Sequence, residues 1–261
     1  MNVHQGCLHD GTKLAIKKVR PGEDYNSRNN SAGKFQKRLA MELYTWSQCD
    51  HRNVWPLMGL ADFDGRLAII SVWADHGNLV QYLEKTPNAN RCELVLGITT
   101  GLAYLHRNGI VHGDLKGLNV LISASRTPML CDFGNSVIEE STLLFADSRS
   151  GIGNTLRWAA PELLTGETQA LSPATDVYSL GMTILETFTG KPPYANLSDH
   201  SVLSVIQKKK LPARPEKEVP VESPYGNILW TLLRSCWSHN PNMRPTVRAV
   251  RYIVSNLPLR S

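Results

Sequence analysis

The chain has 261 residues, 42% of them hydrophobic and 20% charged, with a formal net charge of +5 and a pI near 9.0. That is enough apolar material for one large domain or two lobes, and it excludes wholesale disorder. No apolar run approaches the roughly 20 residues that span a bilayer, so no membrane partner is expected. The mild positive charge comes with few aromatic residues and no recognition motif, so no nucleic-acid partner is expected either.

Five cysteines stand at 7, 49, 92, 131 and 236. Their odd number and the lack of any C-x-x-C pair predict reduced thiols, in the cytoplasm or alternatively the nucleus, and disfavour zinc. The start, Met1-Asn2-Val3-His4-Gln5-Gly6, has neither a basic stretch nor an apolar core, so no secretory signal is expected.

In chain order, residues 3–8 and 13–19 read as two strands around the hairpin signal Asp10-Gly11, with Pro21-Gly22 closing the second. The polar run 25–33 reads as a loop. Phe35, Leu39, Leu43 and Trp46 then fall at helical spacing and predict an amphipathic helix. Glu42 lies at the edge of that stripe, where a carboxylate can turn toward the sheet. Residues 54–61 and 66–73 read as two more strands joined by Asp62-Phe63-Asp64-Gly65. From Asn78 the pattern becomes helical. A helix begins at 78–83, and a longer one covers 93–107 with Val95, Ile98, Leu102 and Leu105 as its buried stripe and Asn108-Gly109 as its stop. Strands first and helices after predict an α+β chain: a small β-rich lobe, a hinge about residues 71–77 and a larger helical lobe. There is no internal repeat and no low-complexity segment.

The chemistry-bearing residues cluster later. His112-Gly113-Asp114-Leu115-Lys116-Gly117-Leu118-Asn119 is followed by Asp132-Phe133-Gly134 and then by Ala160-Pro161-Glu162. Each alone is weak, since Asp114 and Lys116 could be a surface pair and Asn119 a turn residue. Together and in order they match the signature H-R-D-L-x-x-x-N, D-F-G, A-P-E. The chain resembles a protein kinase on these motifs, and the resemblance covers nearly all of it. Lys17 in Ala15-Ile16-Lys17 is similar to the family's strand lysine. Asp176-Val177-Tyr178-Ser179-Leu180-Gly181 is similar to the start of its central helix, and Cys236-Trp237 with Asn240-Pro241-Asn242-Met243-Arg244-Pro245 to its C-terminal arginine motif. Lys116, two residues after Asp114, and Gly153-Asn154-Thr155-Leu156-Arg157-Trp158 resemble the serine/threonine form within the tyrosine-kinase-like branch.

The resemblance implies a two-lobed kinase-like fold, a small antiparallel β lobe plus a large helical lobe, in one domain 1–261: small lobe 1–72, hinge 73–77, large lobe 78–261. It implies ATP and Mg²⁺ as cofactors and protein serine or threonine hydroxyls as substrates. Lys17, held by Glu42, would meet the α- and β-phosphates. Asp132 and Asn119 would hold Mg²⁺, because hard cations prefer oxygen. Asp114 would serve as base for the substrate hydroxyl, with Lys116 beside the γ-phosphate. Backbone groups of Val72 to Ala74 would grip the adenine between Ala15 and Leu121, with Val3 also lining the ATP site. Ser71 falls at the gatekeeper position, where a small residue is expected to leave a back pocket open. His112 reads as buried scaffold, Glu162 and Arg244 as an ion pair, and Asp176 as a backbone acceptor near the 112–119 loop or a helix cap. Lys208-Lys209-Lys210 reads as a solvated face.

Two departures stand out. Gly113 replaces the arginine of H-R-D, so phosphates on Ser141, Thr142, Ser148 or Ser150 are not expected to switch activity by arginine capture. Alanine at all four should therefore leave activity in place. The family's glycine-rich motif also has no counterpart, and Val3 stands where its last valine falls. The first strand and phosphate lid are thus expected to be missing, with an exposed strand edge and weaker ATP affinity. A fragment, a misplaced start and an inactive pseudokinase scaffold all compete with the enzyme.

Overall fold

A computed structural model describes residues 3–19, 31–138 and 155–257. β1 (Val3–Cys7) returns as β2 (Lys13–Lys18) through a turn with Gly11 at φ +87°. β3 (Leu57–Asp62) returns as β4 (Leu67–Val72) through Asp64 and Gly65, at φ +54° and +69°. Two successive positive φ values give a two-residue hairpin the right-handed twist of its strands, which is why Asp-Gly serves there. The four strands form one antiparallel sheet in the order β1-β2-β4-β3. Lys17 lies opposite Val3 on one side and Ile69 on the other.

Two boundaries differ from the sequence reading. α1 (Ser31–Ser47) takes up the last three residues of the predicted loop, because a polar first turn carries no hydrophobic period to mark it. The strand expected from residue 54 starts at Leu57. Its missing residues are spent elsewhere. Trp55 donates its backbone N–H to the Leu130 carbonyl at 2.8 Å, and the Asn53 carbonyl accepts from the Leu130 N–H at 2.9 Å. Pro56 has no N–H to add to a ladder.

The rest is helical with short ribbons. α2 (Leu79–Lys85) begins with a capping box between Asn78 and Gln81, and Asn90 caps α3 (Arg91–Arg107). β5 (Ile110–Val111) pairs with β8 (Val137–Ile138), and β6 (Val120–Ile122) with β7 (Pro128–Leu130). These two ribbons hold the 112–119 loop beside Asp132. α4 (Pro161–Thr165) leads to α5 (Pro173–Thr189), which a Ser172/Thr175 capping box opens and left-handed Gly190 closes. α5 is buried nearly all round, the mark of a core helix. α6 (Asp199–Gln207), α7 (Pro224–Cys236) and α8 (Val247–Ser255) complete the large lobe, with α7 packed on α5 and α8 on α3. The fold is the two-lobed α+β arrangement that the motifs imply. Among the described residues no helix is long and apolar enough to cross a membrane.

Candidate active site

Lys17 reaches from β2 toward two carboxylates: Glu42 of α1 at 3.5 Å and Asp132 at 3.6 Å. Burial works against its ammonium, but Asp132 and Glu42 outweigh it and hold the pKa above the ordinary lysine value. The cation therefore stays charged at any physiological pH. Asp132 sits at φ +68°, a conformation few non-glycine residues adopt. Strain of this kind persists where the surroundings over-determine it. Next to it Phe133 is 1% exposed, stacked against Trp46 of α1 at 5.9 Å and tilted on His112 at 5.7 Å. The Asp132 backbone is thus fixed by an aromatic column running from α1 to the 112–119 loop. Burial pushes up the neighbouring Cys131 thiol, which leaves it an inert packing group.

Asp114 is the hub of a second cluster. Lys116 Nζ lies 3.0 and 2.9 Å from its two carboxylate oxygens, and the Thr155 hydroxyl donates to Oδ1 at 2.9 Å. Asn119 Nδ2 donates to the Asp114 backbone carbonyl at 2.8 Å and to Oδ2 at 2.9 Å. Asn119 thus spends its N–H donors on Asp114, and its amide oxygen is the atom suited to a cation. His112, fully buried, accepts the Asp114 N–H on Nδ1 and lies with Nε2 3.1 Å from the Cys131 carbonyl. It acts as scaffold, as expected. Asp176 accepts the backbone N–H groups of His112 at 2.7 Å and Gly113 at 2.9 Å, and pairs with His106 at 2.8 Å. Burial pushes that carboxyl up, but His106, His112 and the Gly113 N–H together hold it below the usual range. Of the two roles open in the sequence, Asp176 takes the backbone one, and Ser172 is the cap.

Gly113 has φ +77°, and a Cβ placed on it would lie 2.6 Å from the Asn135 carbonyl oxygen and 2.7 Å from Leu171 Cδ1. A side chain on this backbone would be strained and would crowd Asn135 and Leu171. Ser141, Thr142, Ser148 and Ser150 lie outside the described residues. Glu162 and Arg244 form the expected pair through two 2.7 Å bonds, and residues 208–210 are exposed.

The base-binding candidates are also brought together. Ala15, Val72, Ala74 and Leu121 are each partly exposed. Asn78 bridges to Leu121, and the Ile122 N–H reaches the Gly77 carbonyl at 2.9 Å, so β6 lies against the hinge. Val3 is 49% exposed, across the ladder from Lys17. At the end of β4 the Ser71 hydroxyl lies 3.5 Å from the Val72 carbonyl oxygen, and the indole Nε1 of buried Trp55 lies 3.2 Å from the same oxygen.

Sequence reasoning gave no role to two residues of the site, Thr155 and Glu186. Thr155 was legible only as part of Gly153-Asn154-Thr155. It is positioned by Arg157, whose guanidinium donates to the carbonyls of Pro193, Tyr194 and Leu197 and to Asp199. Glu186 of α5 accepts the Gly117 N–H at 2.8 Å and Trp158 Nε1 at 2.9 Å. Nothing in an apolar helix pattern marks it beyond its being, with Asp176, one of two buried acids of α5.

Among the described residues no group of three or more His, Cys, Asp or Glu side chains could hold a metal ion by itself. Asp132 and Asn119 nonetheless fit a hard cation that takes the rest of its shell from phosphate and water.

The protein kinase domain family matches residues 2–253, and the chain belongs to that family. A probable serine/threonine-protein kinase of Dictyostelium discoideum is 29% identical over 260 residues, 98% of this chain and 26% of the relative. The serine/threonine-protein kinase BCK1/SLK1/SSP31 of Saccharomyces cerevisiae is 30% identical over 249 residues, 92% of this chain and 16% of the relative. The serine/threonine-protein kinase STY17 of Arabidopsis thaliana is 27% identical over 262 residues, 97% of this chain and 42% of the relative. The chain thus spans less than half the length of each of these relatives.

Proposed function

We propose that this chain transfers the γ-phosphate of ATP to serine or threonine hydroxyls of protein substrates. The observation that carries the reading is the Asp114 hub, a buried carboxylate whose two oxygens are both aimed by Lys116, Thr155 and Asn119. Phosphoryl transfer asks little covalent work of a protein and much positioning and charge neutralisation. Asp114 orients the substrate hydroxyl and takes its proton. Lys116, whose place two residues after Asp114 supports serine/threonine specificity, offsets charge developing on the transferred group. Lys17, braced by Glu42, binds the nucleotide phosphates. Asp132 and Asn119 would hold Mg²⁺, which when bound would neutralise phosphate charge. The backbone of Val72 to Ala74 receives the adenine, between Ala15 and Leu121. All five thiols are free, which fits the reducing cytoplasm suggested by the sequence.

The test is Mg²⁺-ATP-dependent labelling of a generic protein substrate, followed by phosphoamino-acid analysis, with Asp114→Asn as the paired control. Phosphoserine or phosphothreonine from the natural chain and at least a 100-fold loss in the control is the expected result, the scale of general-base catalysis. A folded chain that transfers nothing would overturn the reading and leave a nucleotide- or partner-binding scaffold.

A further inference from the structure

We propose that the cavity between the end of α6 and the end of α7 is a docking site for a phosphorylated serine or threonine side chain of a partner protein, held by Lys209 and Arg234. The site is independent of the catalytic reading, since none of the residues lining it belongs to the Asp114 or Lys17 cluster. The cavity has a volume of about 390 Å³. That falls among ligand pockets, which run from roughly 300 to 1,000 Å³. Fully buried Trp237 is part of its lining, so the space reaches the core of the large lobe. Lys209, Arg234 and His239 make its polar side, and Thr231 and Ser238 add hydroxyl groups. No Asp or Glu lines it. Among the described residues neither Lys209 nor Arg234 has a carboxylate within ion-pair distance.

The backbone at Lys209 is a second, independent observation. The Lys209 N–H reaches the Ile206 carbonyl at 2.9 Å, and the Lys210 N–H reaches the Val205 carbonyl at 3.0 Å. This pair of bonds closes a helix through one left-handed residue, a place glycine usually takes. α4 and α5 do end on left-handed glycines, Gly166 and Gly190. α6 instead puts a lysine there, at φ +57°. A side chain kept at a strained position is a pointer to function, and this one borders the cavity. Of the run Lys208-Lys209-Lys210, read from sequence as a solvated face, only Lys209 lines it.

The chemistry selects the ligand. A phosphorylated serine or threonine carries a charge of about −1.5 to −2 and three strong acceptor oxygens. Arg234 can take two of those oxygens with its planar fork, and Lys209 acts as a compact point charge. A carboxylate offers less charge and fewer oxygens to the same donors. Burial pushes the pKa of His239 below its ordinary value, and the charges of Lys209 and Arg244 push the same way, against Glu162 and Glu167. A bound dianion would oppose Lys209 and draw a proton onto His239. A lipid surface calls for a broad basic face, whereas a concave site lined by a buried indole admits a single group.

The experiment measures binding of the full chain to a short labelled phosphoserine peptide and to its unphosphorylated form. Inorganic phosphate serves as competitor, and vesicles containing a phosphoinositide form a separate arm. The natural chain is expected to bind the phosphopeptide at least about tenfold more tightly than the plain peptide, the scale of one charge-assisted hydrogen bond. Lys209→Gly and Arg234→Gln should each lose about tenfold on the same scale. Lys209→Gly should melt no lower than the natural chain, because glycine takes the left-handed turn without strain. Its lost binding then cannot be lost folding. By NMR, His239 should titrate at higher pH with the phosphopeptide bound. Equal binding of the two peptides overturns the proposal, as does unchanged binding in both variants or a His239 titration that the peptide leaves in place. Inorganic phosphate that binds as tightly as the phosphopeptide reduces the cavity to a free-anion site and overturns it too. Capture by the vesicles without peptide binding overturns it in favour of a lipid headgroup.

Discussion

Glu186 holds its carboxylate between Gly117 and Trp158, and both donors meet one oxygen, Oε2. Burial pushes its pKa from the ordinary 4.5 up to about 7 against the pull of those two donors and Lys116. The folded chain therefore keeps this proton to higher pH than the unfolded chain does. Between those two values the folded state binds more protons, so stability falls as pH rises. The contribution is complete below about 4.5 and gone above about 7, on the order of 3 kcal/mol at about 1.4 kcal/mol per pH unit. A glutamine amide oxygen can accept both N–H groups without ever ionising. Glu186→Gln should thus match the natural chain at pH 5 and exceed it at pH 8 in urea-melt free energy. Equal melts at both pH values would show that the carboxylate carries no such cost. Gly113 makes a different point at this scale. Its exception to H-R-D is plain in the sequence, but the crowding around it is not, because Asn135 and Leu171 reach it only through the fold.

At the scale of elements, one arginine fastens three of them. Arg244, just ahead of α8, binds Glu162 of α4 through both guanidinium ends and the Ala174 carbonyl of α5 at 2.9 Å. It also lies over the Tyr178 ring at 5.2 Å and reaches the Ser238 carbonyl at 2.8 Å. Both charges are buried, so removing one leaves the other unpaired, a change worth about 3–5 kcal/mol. Arg244→Met keeps most of the volume and should lose that much in denaturant titration. A loss under about 1 kcal/mol would mean that the pair is replaceable by packing. The pair was legible because both residues sit in recognisable motifs. The ribbons β5–β8 and β6–β7 were not, since strands of two or three residues are too short to show a period. The true start of β3 was hidden for another reason. Val54 and Trp55 look like strand residues in composition, and only their bonds to Leu130 take them out of the sheet.

For the whole molecule, the division into lobes was readable from strands preceding helices, and the site from motifs that bring Asp114, Asn119 and Asp132 together. What joins the lobes was not readable, because it depends on close backbone approach. The segment from Asp50 to Trp55 is sewn onto the large lobe: the Asp50 N–H reaches the Tyr104 hydroxyl at 3.0 Å, and Asn53 Nδ2 reaches the Pro128 carbonyl at 2.8 Å. Gly101 of α3 permits this, since a Cβ there would lie 2.5 Å from the Asn53 carbonyl oxygen. A short piece of the small lobe thus shares the fate of the large one. In deuterated water the amides of Trp55 and Leu130 should exchange together and as slowly as the core of α5, well behind the Arg66 amide in the exposed hairpin. Exchange at Trp55 as fast as at Arg66 would dissolve that partnership. If it holds, β1 and β2 can come apart as a first, separate melting step while Trp55 stays rooted.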